Sequence, residues 1–131
     1  MEPYVYCKSI VEQDTAPVVV CDPQHTIVYM NPAAVLRYQK WGGESLVGRS
    51  LLDCHNAASA AVIRQAAERF AASAQQDRLF IGHHARENRD TYIIALRDEQ
   101  GQFIGYYEKH EYRTPETAVP YSAAETGKKG L

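Results

Sequence analysis

The sequence predicts an α+β fold: an antiparallel sheet of five strands with its helices gathered on one face. Three observations carry this. Two β-rich runs stand close together near the start, at 18–22 and 25–30, and three more follow near the end, at 78–84, 91–97 and 102–112. The helical patterns lie between these two groups. The links inside each group are too short for a parallel crossover, so neighbouring strands pair as hairpins.

Residues 4–14 read as a short amphipathic helix or irregular lead-in. Val18-Val19-Val20-Cys21-Asp22 is a β-branched run that Pro23 ends. His25-Thr26-Ile27-Val28-Tyr29-Met30 is the second, and the short link of Pro23 and Gln24 fits a tight hairpin. Asn31-Pro32 starts a helix: Asn accepts from the free N–H groups of a first turn, and Pro loses nothing at a position with no acceptor for its N–H. That helix is expected from Pro32 to about Lys40, with Gly42-Gly43 as its stop.

Glu44 to Cys54 reads as a short helical connection. The clearest helix follows, near Asn56 to Ser73. Val62, Ile63, Ala66 and Phe70 recur at helical spacing and are expected to face inward, with Arg64, Gln65, Glu68 and Arg69 mostly on the other side. The last three strands are linked by turn-like Asn88-Arg89-Asp90 and Asp98-Glu99-Gln100-Gly101. Residues 114–131 hold Pro115, Pro120, Gly127 and Gly130 with little apolar content, which predicts a flexible tail.

The chain has 131 residues, one domain's worth. A formal net charge of -2 leaves no basic footprint for a duplex nucleic acid. No stretch approaches the roughly 20 apolar residues of a membrane helix. No basic n-region or apolar h-region opens the chain, so no secretory signal is read. Cys7, Cys21 and Cys54 are odd in number and widely spaced, which argues against a disulfide framework and for a reducing cytoplasm. No Ser-His-Asp set, carboxylate pair or Gly-rich phosphate loop is present, so the expectation is a protein that is not an enzyme.

Three local words, in order, carry a family resemblance. His25-Thr26-Ile27-Val28-Tyr29-Met30-Asn31-Pro32-Ala33-Ala34 resembles the I-x-Y-x-N-x-A junction of the PAS domain. Leu46-Val47-Gly48-Arg49-Ser50-Leu51-Leu52 resembles its L-x-G-R segment before the long helix. Asp98-Glu99-Gln100-Gly101-Gln102-Phe103-Ile104-Gly105 resembles its last hairpin. Asp53-Cys54-His55-Asn56 is similar to a subgroup with Cys-His-Asn/Pro at the start of the long helix. The resemblance covers roughly residues 10–114. It implies strand order 2-1-5-4-3, with a lead-in over 1–15, the PAS domain over 16–113 and the tail over 114–131. It also implies a sensory and signalling module that binds a small molecule or cofactor between sheet and helices. With no effector in these residues, a stand-alone sensor or adaptor acting on an unidentified effector protein is implied. A homodimer is expected, because the lead-in before Ala16 and one sheet face offer apolar surface. The alternative from another class is a ligand-free dimerisation or protein-interaction module with a filled core.

The candidate pocket residues are His55, Cys54, Asn56 and Phe70. Haem is the cofactor weighed most seriously, with His55 as axial ligand. His55 stands several residues earlier than the family's usual haem histidine, and capping or packing is its other reading. Flavin is rejected: Leu51 occupies the offset from Gly48 where flavin-thiol domains carry cysteine, and Cys54 lies six residues after that glycine. A thioester-linked chromophore on Cys54 would need buried acid and hydroxyl partners. His83 and His84 are adjacent in a strand and point to opposite faces, which makes a poor metal clamp. On the last strand Ile104, Tyr106, Glu108, His110 and Tyr112 share a face, and the exposure habit of Glu favours that face turning outward. Asn56 is placed to cap the long helix, and the positive end of that helix would favour a thiolate on Cys54 and a neutral His55.

Overall fold

Two asparagines start the two helices that pack on the sheet. The computed structural model describes residues 1–122. Asn31 caps helix α2 (Pro32–Arg37) by accepting from Ala34 N–H, and Asn56 caps α3 (Ala57–Ala72) by accepting from Ser59 N–H. A further helix, α1 (Pro3–Gln13), precedes the sheet and buries none of its residues. Helix α2 stops earlier than the expected Lys40. The chain continues as 3₁₀ turns at Gln39–Trp41, Gly43–Leu46 and Leu51–Cys54.

The five strands are β1 (Val19–Cys21), β2 (Ile27–Met30), β3 (Arg78–His84), β4 (Arg89–Arg97) and β5 (Phe103–Tyr112). Their order is β2-β1-β5-β4-β3, and every neighbouring pair is antiparallel, as the sequence predicts. The two hairpins therefore meet through their first and last strands, and the helical segment crosses from one edge of the sheet to the other.

The Gly48-Arg49 word has a backbone role. Gly48 N–H donates to the Ile27 carbonyl at 2.8 Å, and Ile27 N–H donates to the Arg49 carbonyl at 2.9 Å. Leu51 N–H donates to the His25 carbonyl at 2.8 Å. This short ladder runs beside β2 and hands the chain to the turn before α3. Gly48 turns there at φ +94°, a conformation that glycine adopts freely.

The core lies between the sheet and α2, the 3₁₀ turns and α3. Cys21, Ile27, Ala34, Ile63, Phe70, Ile93 and Tyr106 are among its most deeply buried members. Val62 corrects the expected inward face of α3: it is 44% exposed. Ala60, Ile63, Ala66, Ala67 and Phe70 form the buried stripe instead, and small alanines let the helix sit close to the sheet. Arg97 fastens the end of this helix. Its Nη2 donates to the carbonyls of Phe70 and Ser73 at 2.8 and 2.9 Å, groups that have no partner within a helix's last turn.

The inner face of β5 is a second correction. Tyr106 is 1% exposed and His110 7%, so the middle of the stripe expected to face outward faces the helices, while its ends, Ile104 and Tyr112, are 51% and 44% exposed. The cause is register. Tyr106, Glu108 and His110 pair with Ala95, Ile93 and Thr91 of β4, and alternation holds all three on the side that Tyr106 fills. The expected tail lies partly outside the described residues, at 123–131. Among the described residues no helix is long and apolar enough to cross a membrane.

Candidate functional site

A cavity of about 140 Å³ opens between the inner face of the sheet and the 3₁₀ turns. Val19, Ile27 and Met30 supply its sheet wall, and Glu108 projects into it from β5. Tyr38, Trp41, Leu46 and Leu51 form the opposite side, and Cys54 and His55 complete it near the start of α3. The lining is mostly apolar and aromatic, with Glu108 the one carboxylate in it among the described residues.

The predicted site residues separate. His55 and Cys54 line the cavity. His55 Nδ1–H donates to the Leu51 carbonyl at 2.9 Å, an assignment that follows because a carbonyl can only accept. That bond fixes the ring and leaves Nε2 as its other polar atom. Cys54 is exposed at the rim. Asn56 is spent on its cap, with Ser59 N–H at 2.9 Å. Phe70 is fully buried near the far end of α3, packed on Phe103 with ring centroids 5.9 Å apart. It is core and does not line the cavity.

Glu108 is the residue that reasoning from sequence placed on the wrong face. His110 Nε2 stands 3.5 Å from its Oε2, and the His110 side chain is 3% exposed. Burial pushes the Glu108 carboxyl up, but His110, with His55 and Arg89, pulls it further down. The net position is below the ordinary carboxylate value, so Glu108 is an anion at neutral pH. With Nε2 turned to Glu108, the other ring nitrogen of His110, Nδ1, is buried and has no hydrogen-bond partner among the described residues.

A second polar chain crosses the core beside the cavity. His25 Nδ1 lies 2.8 Å from the Tyr106 hydroxyl, and Tyr106 in turn contacts the Cys21 thiol. Burial raises the Tyr106 hydroxyl and pushes the Cys21 thiol up to about 12, so both stay protonated at neutral pH. His25 sits in the β1–β2 turn at φ +72°. Its partner lies 81 residues away, and no local pattern could have joined them.

His83 and His84 are both exposed, and His83 Nδ1 pairs with Asp90 at 2.7 Å on the same hairpin. Among the described residues no three His, Cys, Asp or Glu side chains converge as a metal site.

A family model described as PAS fold matches residues 11–110. No curated protein matches the sequence. Among solved structures, the PAS domain of a Colwellia psychrerythraea protein superposes with a TM-score of 0.63 at 15% identity, covering 86% of this chain and 98% of that one. The PAS domain of Bordetella pertussis BvgS gives 0.59 at 15% identity, over 86% of this chain and 87% of that one. The Aer2 receptor of Vibrio cholerae, described as a dual PAS-heme oxygen sensor, gives 0.52 at 20% identity, over 75% and 94%.

Proposed function

We propose that this chain, which belongs to the PAS fold family, takes a small molecule into the cavity beside β1, β2 and β5 and passes the event on through dimer or partner contacts. Its relatives are sensory and signalling modules, and the described Aer2 receptor is one that senses through a bound group. The observation that carries the reading is the cavity. A closely packed domain keeps few voids larger than a water molecule. This one measures about 140 Å³, and a dry cavity of roughly 150 Å³ holds benzene. The ligand is therefore on the scale of one ring.

That scale decides between cofactors. His55 has the tethering of a metal-ligating imidazole, with Nδ1–H on a backbone carbonyl. A porphyrin is several times larger than this cavity, so the residues present do not fit haem and the reading does not run through it. The module binds and does not catalyse. Its three cysteines are unpaired, which suits a reducing compartment such as the cytoplasm.

Native mass spectrometry of the untreated protein tests the reading, alongside a cavity-filling Leu51→Phe variant. The expected result is a retained adduct in the small-molecule range that the variant loses while staying folded. The bare chain mass in both proteins, with the variant more stable and no ring compound entering the wild type, would replace sensing with a ligand-free dimerisation module.

A further inference from the structure

We propose that the cavity selects a single-ring compound bearing a cationic N–H donor group, an arylmethylamine or arylamidine by chemical class, and that Glu108 is the selecting residue. This rests on the sensing reading and names the ligand class for the same cavity.

The argument starts from what surrounds the carboxylate. Val19, Ile27, Met30, Leu46 and Leu51 make the lining around it a low-dielectric wall. An anion in such a wall is costly unless it is paired or hydrogen-bonded. The closest partner of Glu108 is His110 Nε2 at 3.5 Å, well beyond the roughly 2.7–2.9 Å of a charge-assisted hydrogen bond. That contact engages Oε2, and the Glu108 side chain, 25% exposed, keeps the rest of its carboxylate open toward the cavity mouth with no protein donor on it among the described residues. No Lys or Arg lines the cavity to take that place.

The groups facing Glu108 nonetheless hold it ionised, as described above. An apolar slot of one-ring size with a single anion set in its wall is complementary to a ring with one donor group. The ring fills the apolar volume, and the N–H group supplies the short bond that His110 does not. An anionic ring would meet like charge. A neutral ring without a donor would leave the carboxylate desolvated and unpaired, which costs affinity.

Titration of the ¹⁵N-labelled protein with benzylamine, ethylbenzene and benzoate tests this, in wild type and Glu108→Gln. Gln keeps the shape of the side chain and removes a partly buried charge, so the variant is expected to fold. Benzylamine should shift the amides of Val19, Ile27, Leu51 and Glu108 saturably. Glu108→Gln should weaken it about tenfold or more, the loss of one charge-assisted hydrogen bond, and leave ethylbenzene unchanged within about twofold. Ethylbenzene or benzoate binding as tightly as benzylamine, or an unchanged amine affinity in Glu108→Gln, overturns selection by Glu108 and leaves the cavity reading standing. No shift of the cavity amides by any of the three compounds overturns both.

Discussion

Asn31 Oδ1 accepts the backbone N–H of Val18 at 2.9 Å, so the junction between β2 and α2 holds the chain that enters β1. The same oxygen accepts from Ala34 N–H at 2.9 Å, and Nδ2 donates to the carbonyls of Val11 and Ala16 at 3.0 Å each. One fully buried amide thus joins α1, the entry to β1 and the start of α2. Only Asn offers an acceptor and two donors in this volume. Asn31→Ala should cost about 3 kcal/mol or more, since it strands several backbone groups as well as removing a cap. Urea denaturation measures the loss, and hydrogen exchange should show α1 losing protection first. A cost below about 1 kcal/mol would mean that water replaces the amide at every partner.

Gly105 gives a second prediction. It takes φ +154°, and a Cβ built there would lie 2.2 Å from the carbonyl oxygen of Cys21. The obstacle is backbone of the neighbouring strand, which no side-chain rotation relieves. Gly105→Ala should force β1 and β5 apart and cost about 2 kcal/mol or more. A thermal melt within a degree or two of wild type would show that the strands shift at no cost. Gly101→Ala is the control: it is also strained, at φ +80°, but meets nothing within 4 Å, so its cost should be the smaller of the two.

Much of this fold is legible from local chemistry. Asn31-Pro32 and Asn56 mark helix starts, and the turn residues at 98–101 mark a hairpin in which Asp98 Oδ1 accepts from Gln100 and Gln102 N–H. The site is legible only in part. Cys54 and His55 reach the cavity because they end the turn before α3, a placement that the family's order of elements implies. Tyr38 and Trp41 also line it, and their three-residue spacing on a short helical stretch was the available signal. The exposure habit of Glu108 points to the wrong face, and the large Tyr106 two residues earlier is the better guide. A strand's period of two makes the buried Tyr106 the stronger constraint. The pairing of His25 with Tyr106 depends on how the hairpins meet, which is a tertiary fact.

The three cysteines should behave in two classes. Cys7 and Cys54 are exposed and Cys21 is buried. A thiol reagent at neutral pH should modify two thiols quickly in the folded protein and the third only on unfolding, with peptide mass mapping to assign them. Cys21 also carries a pH signature. Burial pushes its thiol up to about 12, so the folded state keeps a proton that the unfolded state loses at the ordinary thiol value. The unfolded chain then binds fewer protons, and stability must fall as pH rises between those two values. The contribution is fully present below the ordinary value. Cys21→Ala should flatten that alkaline decline in a urea titration series. An equal decline in the variant would assign it to other groups.

Helix α1 argues for a second copy of this chain. Isolated helices of this length are marginal in water, and α1 buries none of its 11 residues against the domain. Tyr4, Tyr6 and Ile10 are each more than 60% exposed along it. Its ties to the domain are polar: Tyr29 hydroxyl to Glu12, and Asn31 to the Val11 carbonyl. A groove lined by Ile10 and Val11 on the helix and by Val18, Val20 and Tyr107 on the outer sheet face runs beside it. Apolar side chains held on an ordered helix next to an apolar groove suit a symmetric pair, in which each helix covers surface of the other copy. Sedimentation at tens of micromolar should therefore give a dimer. Ile10→Glu with Tyr6→Glu should raise the dissociation constant at least about tenfold, because a buried unpaired carboxylate opposes association. The monomer fold should survive, since neither side chain belongs to the core. A wild-type monomer at that concentration, or a dimer that tolerates both charges, would place the contact elsewhere or remove it.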